Sequence, residues 1–386
     1  MQQINAERQK RLCSYRAARG TLVRLLGLPF TILLCSLICV DPVHSVSLVG
    51  FFVSLWHHCM WLFLWQPVTD WYPVPILLSY LLCMLCLEAI YLPLYSYIDY
   101  GLKRYHRLPT FPLRTCLLRH CRAQGKLVVK WAVLVQIIYL MYATLQEWWW
   151  CGFVCFQLLL DIGWEQCKPF ILSRTYTLTP LVDGELKQRL QNLMRRLSTS
   201  VRGIYVLTKP GAKVAPNAFV VGWGWTRQIS IVHTMLERFS LDEIEVILAH
   251  ELAHHVYFDI WKRLFARAGI RVIAYYLIAM LMLGLVDIPI YLFDGFSDST
   301  TVPFLLSLFV LSWLVTTSIM NSYSRMMEHR ADEFALRTTD LHQAFKSAMV
   351  RLANINEILA HEDSNSSHPS IVSRIRHAEE WAARNT

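Results

Sequence analysis

The chain carries more long apolar runs than a water-soluble fold of its length can bury. Seven of them approach the roughly 20 residues that a helix needs to cross a hydrocarbon core: 21–40, 45–65, 74–97, 131–147, 148–164, 272–292 and 303–320. Gln157 and Asp161 interrupt the fifth. In lipid every backbone polar group must be bonded within the protein, so such runs fold as helices. Composition agrees: 55% of the 386 residues are hydrophobic and 17% charged, against about a quarter charged in an ordinary soluble protein. The expected fold class is a mainly α-helical, polytopic, integral membrane protein of about seven spans, with the lipid bilayer as its first partner.

Charge placement orients the spans. The segment 101–126 holds Lys103, Arg104, Arg107, Arg114, Arg119, Arg122 and Lys126, whereas the connections at 66–72, 148–150 and 293–302 hold no Lys or Arg. Basic loops stay cytoplasmic, and with seven spans 165–271 and the tail after 320 share that side. The basic start, Arg8 to Arg19, then falls on the opposite side, against the rule; the majority of basic loops decides the orientation. A first segment that stays out of the bilayer would remove the conflict. No small-residue cleavage site follows the first apolar run, which speaks for a retained N-terminus. The basic residues flank spans instead of forming one patch with aromatics, so nucleic acid is not an expected partner. All 11 cysteines lie between Cys13 and Cys167, mostly inside apolar runs, which argues against a disulfide framework. Cys83 and Cys86 form a mid-span CxxC and read as helix packing. Glu88, at membrane depth, is expected to face a cavity or a partner helix and not lipid.

Four parts follow: a membrane region over 1–165 with about five spans, a cytoplasmic α/β insert over 166–266, a two-span hairpin over 267–322, and a cytoplasmic tail over 323–386. In the insert, "DGELKQRLQNLMRRL" puts Leu186, Leu190, Leu193, Met194 and Leu197 on one helical face. "GIYVLT", "NAFVVG" and "ISIV" are short β-rich runs separated by turn-forming residues. Ser240 and Glu243 have capping-box spacing at the start of a further helix.

That helix carries "AHELAHHVY" at 249–257. His250 and His254 are four apart and stand one turn above the other, with Glu251 about 100° round the helix. Two imidazoles at that spacing bind zinc, and the carboxylate between them serves as general base to the attacking water. His255 lies one residue off the ligand face and reads as a solvated histidine or one supporting a ligand. A catalytic zinc needs a third protein ligand and an open position. No HxxGxxH follows, so a three-histidine site is excluded. Downstream, "SRMMEHRADEFAL" places Glu328 and Asp332 four apart on one helical face, as a ligand with a carboxylate behind it to orient an imidazole would stand. Spacing alone leaves equally open a solvated helix laced with i, i+4 pairs.

These residues resemble a known family. "HELAH" followed after two apolar runs by "EHRAD" is similar to the HExxH…ExxxD pattern of the integral-membrane zinc metallopeptidases that include the type I CAAX prenyl endopeptidases and the HtpX heat-shock proteases. "TLTPLVDGELKQRLQNL", "PNAFVVGWGWTRQISIVHTML" and "HPSIVSRI" resemble further blocks of that family, so the likeness covers about 168–376. It implies a gluzincin-like α/β catalytic insert and one zinc ion per chain held by His250, His254 and Glu328, with Glu251 as base. It also implies that Asp332 orients a ligand histidine, that Asn217 binds substrate backbone on an edge strand, that His368 stabilises the oxyanion and that Arg374 ties the tail down. Plainer roles stay open for the last three, Asn217 in the turn after Pro216 and His368 and Arg374 at the surface. Two positions depart from the pattern: His233 replaces a usual acidic residue, and Ala253 a usual glycine. Both bear on substrate preference.

The expected function is hydrolysis of peptide bonds in membrane-associated or lipidated peptides and proteins, at the cytoplasmic face of a bacterial inner membrane or of an endoplasmic reticulum. The alternative is a catalytically inactive membrane scaffold or receptor-like protein retaining the fold. A transporter would spread polar residues through several spans, and few are present.

Overall fold

The computed structural model describes residues 6–23, 73–209, 211, 214–286, 301–355 and 368–385. In chain order the longer helices are α1 (Ala6–Leu22), α2 (Pro73–Ser96), α3 (Leu113–Leu145), α4 (Trp149–Thr175), α5 (Glu185–Arg196), α6 (His233–Arg238), α7 (Leu241–Val256), α8 (Asp259–Val286), α9 (Thr301–Thr339), α10 (His342–Ile355) and α11 (Ile371–Asn385). The strands are β1 (Thr177–Pro180), β2 (Ile204–Thr208), β3 (Ala218–Val221) and β4 (Gln228–Val232). The chain forms two compact units, Arg11–Phe156 with Gly269–Val315, and Met1–Lys10 with Gln157–Ala268 and Thr316–Thr386. α4, α8 and α9 each run through a unit boundary without a break.

The first of these units is helical. Its core is aromatic: Phe153 of α4 packs 5.5 Å from Tyr275 of α8 and 5.8 Å from Phe309 of α9, ring centre to ring centre. Buried hydroxyls find partners, as the absence of water in such a core requires. Tyr80 of α2 donates to the Val128 carbonyl at 2.9 Å, and Tyr139 of α3 shares a 2.6 Å bond with Thr301 of α9. Glu88 meets the buried His120 of α3, the partner expected for an ionisable group at this depth. α2 bends by 41° between Ala89 and Tyr91. Pro93 supplies the cause, since its ring displaces the carbonyl four residues back and it has no N–H to bond there.

Three stretches of the described residues are long and apolar enough to cross a membrane, Leu113–Thr175, Asp259–Gly284 and Thr301–Thr339; the bent pair from Pro73 to Tyr105 makes a fourth if it counts as one span. Seven were expected. The run at 45–65, and that at 21–40 beyond residue 23, lie outside the described residues. The runs at 131–147 and 148–164 fall within one helical stretch of 63 residues, interrupted by a short 3-10 turn at Gln146–Trp148. These helices turn many large apolar side chains outward, among them Leu85, Val129, Leu140, Leu159, Ile273, Leu277 and Leu311. A water-soluble monomer rarely exposes that much contiguous apolar surface; hydrocarbon would solvate it.

The other unit is built on a four-stranded mixed sheet of order β1-β2-β4-β3. β1 and β2 are antiparallel, β2 and β4 parallel, and β3 and β4 antiparallel. The continuous β-rich run of β4 is buried at every position, as a strand between two neighbours and two covered faces should be. β3 forms one edge. The three β-rich runs of the sequence are β2, β3 and β4, while β1 is a further, short strand. Leu186, Leu190 and Leu193 are buried, as the α5 periodicity predicts, in one core with Ile229, Ile231, Ile244, Phe345 and Met349. After β3 the chain turns at Gly222, where φ is +75° and a Cβ would come within 2.6 Å of the Thr226 carbonyl oxygen. Only glycine fits there.

Leu190→Ala removes a fully buried side chain and is expected to cost about 2–5 kcal/mol. Leu85→Ala, which faces outward, should stay within about 0.5 kcal/mol. Thermal unfolding of the detergent-solubilised chain distinguishes them.

Candidate metal centre

α7 begins where the sequence says it should. The Ser240 hydroxyl accepts the Glu243 N–H at 3.2 Å, and the Glu243 carboxylate accepts the Ser240 N–H at 2.8 Å, a complete capping box. The other Glu243 oxygen accepts from Ser347 at 2.6 Å, which fastens the cap to α10. From this fixed start the helix runs almost wholly buried to Val256. His250 and His254 present their rings on one face, 5.0 Å apart centre to centre.

Glu328 of α9 closes the third side. His250 Nε2 lies 3.3 Å from Glu328 Oε2 and His254 Nε2 lies 3.4 Å from Glu328 Oε1. The three ligand atoms lie within 4.8 Å of one another, and the residues are buried. Ligands about 2.0–2.1 Å from a tetrahedral zinc stand about 3.3–3.4 Å from each other, a spacing that the two histidine–carboxylate distances match. The buried Glu328 carboxylate meets three imidazoles, with Oε2 also 2.7 Å from His368 Nδ1. The donor set of two imidazoles and one carboxylate fits zinc or a similar divalent ion.

The far nitrogen of each histidine is held by its own carboxylate. His250 Nδ1 is 2.8 Å from Asp332 Oδ1 and His254 Nδ1 is 2.9 Å from Asp259 Oδ2. Such bonds fix ring orientation and leave Nε2 as the ligating atom. Each carboxylate is in turn gripped by an arginine. Arg374 of α11 is bidentate to Asp332, at 2.8 and 2.5 Å, and Arg330 of α9 meets Asp259. Arg330 also lies over the Tyr257 ring, 4.2 Å from its centre. Burial disfavours charge on His250, but hydrogen bonds to Asp332 and Glu328 outweigh it and raise the imidazole to about 10. His254 is raised in the same sense by Asp259 and Glu328, again against burial. The pocket is thus arranged to stabilise positive charge where the three donors meet.

The other residues singled out in the sequence distribute unevenly. Glu251 follows His250 on α7 and is close enough to Arg374 to act on its charge. His368 stands 60% exposed with Nδ1 2.7 Å from Glu328 Oε2. Asn217 is exposed just before β3, and its backbone carbonyl accepts from the Val232 N–H at 2.8 Å, which extends the pairing of that edge strand. His233 is half exposed, 3.4 Å from Glu237. The solvated option for His255 fails: it is buried, bonds to the Val220 backbone on β3, and is pushed by burial down to about 4. It ties α7 to the sheet as a neutral group. Asp259 and Arg330 are the additions that sequence reasoning missed. Phe258, at φ +57°, turns the chain between α7 and α8 so that Asp259 points back at His254; the short interval in "HHVYFD" was the one available signal.

Asp259→Asn keeps the shape but removes the negative charge from His254 Nδ1–H. Metal affinity, measured by chelator competition, is expected to fall about 10–100-fold, while Glu237→Gln, at the exposed pair with His233, should leave it unchanged.

Comparison with known proteins gives a consistent picture. An "Uncharacterized metalloprotease YhfN" of Bacillus subtilis is 27% identical over 245 residues, 61% of this chain and 57% of that protein. A "CAAX prenyl protease 1 homolog" of Arabidopsis thaliana is 27% identical over 57% of this chain and 54% of its own length. A "Protease HtpX homolog" of Sulfurovum is 25% identical over 44% of this chain and 57% of its own length. The chain spans about half the length of these curated relatives. The crystal structure of S. mikatae Ste24p superposes with a TM-score of 0.72 at 17% identity, over 96% of this chain and 88% of that one, which shows a shared fold. The model of peptidase family M48 matches residues 180–382, a stretch that contains every group of the centre described above. On that match, and on the His250, His254 and Glu328 geometry that it encloses, the chain belongs to peptidase family M48.

Proposed function

We propose that this chain is a zinc-dependent endopeptidase that hydrolyses peptide bonds of membrane-associated or lipidated peptides and proteins at the cytoplasmic face of the membrane. The convergence of His250, His254 and Glu328, with Asp332 and Asp259 behind the two imidazoles, carries the reading. Zinc held there would supply Lewis acidity, which polarises the scissile carbonyl and acidifies the attacking water. Glu251, between the two histidines on α7, takes the water proton and later returns it to the leaving amine. His368, exposed beside Glu328, donates to the oxyanion that develops on the scissile carbonyl.

Substrate backbone is proposed to lie along β3. That strand is an edge, so the outer N–H and C=O groups that His255 does not take are available to an extended peptide, and Asn217 is exposed just before it. The apolar exterior of the helical unit supports a membrane-bound substrate, since enzyme and substrate would share one surface. Relatives named as CAAX prenyl proteases point to prenylated peptides, and those named HtpX to a broader range.

The test uses purified full-length chain, metal analysis and a membrane-anchored peptide with or without a C-terminal prenyl-cysteine. Wild type should hold one zinc and cleave; Glu251→Gln should keep the zinc and lose about 10²-fold or more of the rate. Wild-type protein without zinc, or Glu251→Gln with full activity, would sink the proposal.

A further inference from the structure

A cavity of about 300 Å³ that none of the metal ligands lines lies among α4, α8 and α9. Its wall is polar and basic: Lys168 from α4, Arg263 and Arg267 from α8, and Asn321 and Ser324 from α9, with Glu165 the one acidic member. The carboxylates nearby are already engaged. Glu165 is 2.5 Å from Lys168, and Asp161 is 3.7 Å from Arg267. Among the described residues the Arg263 side chain has no ion pair or hydrogen bond, and the one carboxylate lining the cavity, Glu165, is already paired with Lys168. A half-buried cation in that position is stabilised by an anion from outside the chain.

The sequence fixes the level at which the cavity sits. Lys168 follows the apolar run 148–164, Arg263 and Arg267 precede 272–292, and Asn321 and Ser324 follow 303–320. The polar cavity residues stand within about two and a half turns of the end of each apolar run, where a spanning helix meets lipid headgroups. Trp164, more than half exposed on α4, marks the same level. An exposed tryptophan at a span end is a usual anchor in the headgroup zone. A basic pocket between helices at that depth matches the chemistry of a phospholipid phosphate.

We propose that this cavity binds the phosphate of an anionic phospholipid headgroup, with Arg263 as its principal charge partner, Lys168 and Arg267 beside it, and the Ser324 hydroxyl and Asn321 amide as neutral donors. The site has a consequence for the catalytic unit. Ser324 is one helical turn before Glu328 on α9, and Ile260, which also lines the cavity, follows Asp259 on α8. A lipid held here grips the two helices that supply the metal ligand Glu328 and the carboxylate behind His254. It would thereby steady the two helices on which the centre depends.

The test is independent of peptidase activity. Full-length chain in mild detergent is titrated with phosphatidylglycerol, with phosphatidylcholine and with inorganic phosphate, and bound lipid is counted by native mass spectrometry alongside the thermal midpoint. One phosphatidylglycerol should remain bound and raise the midpoint, with phosphatidylcholine and free phosphate giving little change. Arg263→Gln and Lys168→Gln should each weaken retention at least about fivefold, and Arg195→Gln, an exposed residue of α5, should not. Retained zinc in the variants shows that they have folded. Equal retention by Arg263→Gln, equal binding of the two lipids, or an equal shift with inorganic phosphate would overturn the proposal. So would displacement of the lipid by a peptide substrate, which would assign the cavity to substrate binding.

Discussion

The Glu328 carboxylate, set between the Nε2 atoms of His250 and His254, is the contact on which the candidate centre depends. It does not act alone, because α9 delivers two further groups with it. Asp332, four residues on, takes the far nitrogen of His250, and Arg330 grips Asp259, which takes the far nitrogen of His254. One rigid helix thus supplies a ligand and orients both of the others, one directly and one through a relay. Residues on a helix keep a fixed 3.6-per-turn geometry, so a rotation of α9 that displaced Glu328 would release both imidazoles together. Arg374 adds a lock from α11 through its bidentate hold on Asp332.

The same helices connect this chemistry to the apolar sequence. Asp259 opens α8, whose later residues form a membrane-crossing stretch, and Glu328 comes about two turns after the apolar run of α9 ends. Support for the centre is therefore built into long helices that also carry apolar runs. The sheet provides the other support. His255 bonds to the backbone of β3, so the helix that carries the ligands is tied to the edge strand proposed to receive substrate. Substrate seated on β3 and a donor set on α7 would be held in one frame, as productive positioning requires.

What could be read from the sequence was what local geometry controls. The His250 and His254 spacing, the Ser240 and Glu243 cap and the buried stripe of α5 each follow from helix periodicity, and all are present. Glu328 could be named only through family resemblance, because two apolar runs separate it from α7 and spacing alone fitted a solvated helix equally well. Asp259 escaped because it acts from beyond the helix end, through a left-handed Phe258 that no periodic pattern signals. His255 was open to a solvated reading because an amphipathic helix has a wet side, whereas α7 is covered on nearly every side. β1 was not read as a strand since four residues ending in proline give little alternation to detect. The span count rests on hydropathy, which marks apolar runs but not where one long helix holds two of them.

In the proposed enzyme two imidazoles and one carboxylate bind the metal, with no sulfur. X-ray absorption at the zinc edge of purified, full-length chain tests it directly. Nitrogen and oxygen neighbours are expected at about 2.0–2.1 Å, two with the outer-shell scattering of imidazole, with a disturbed inner shell in Glu328→Gln. Sulfur scattering at about 2.3 Å, or a spectrum unchanged by Glu328→Gln, would contradict it.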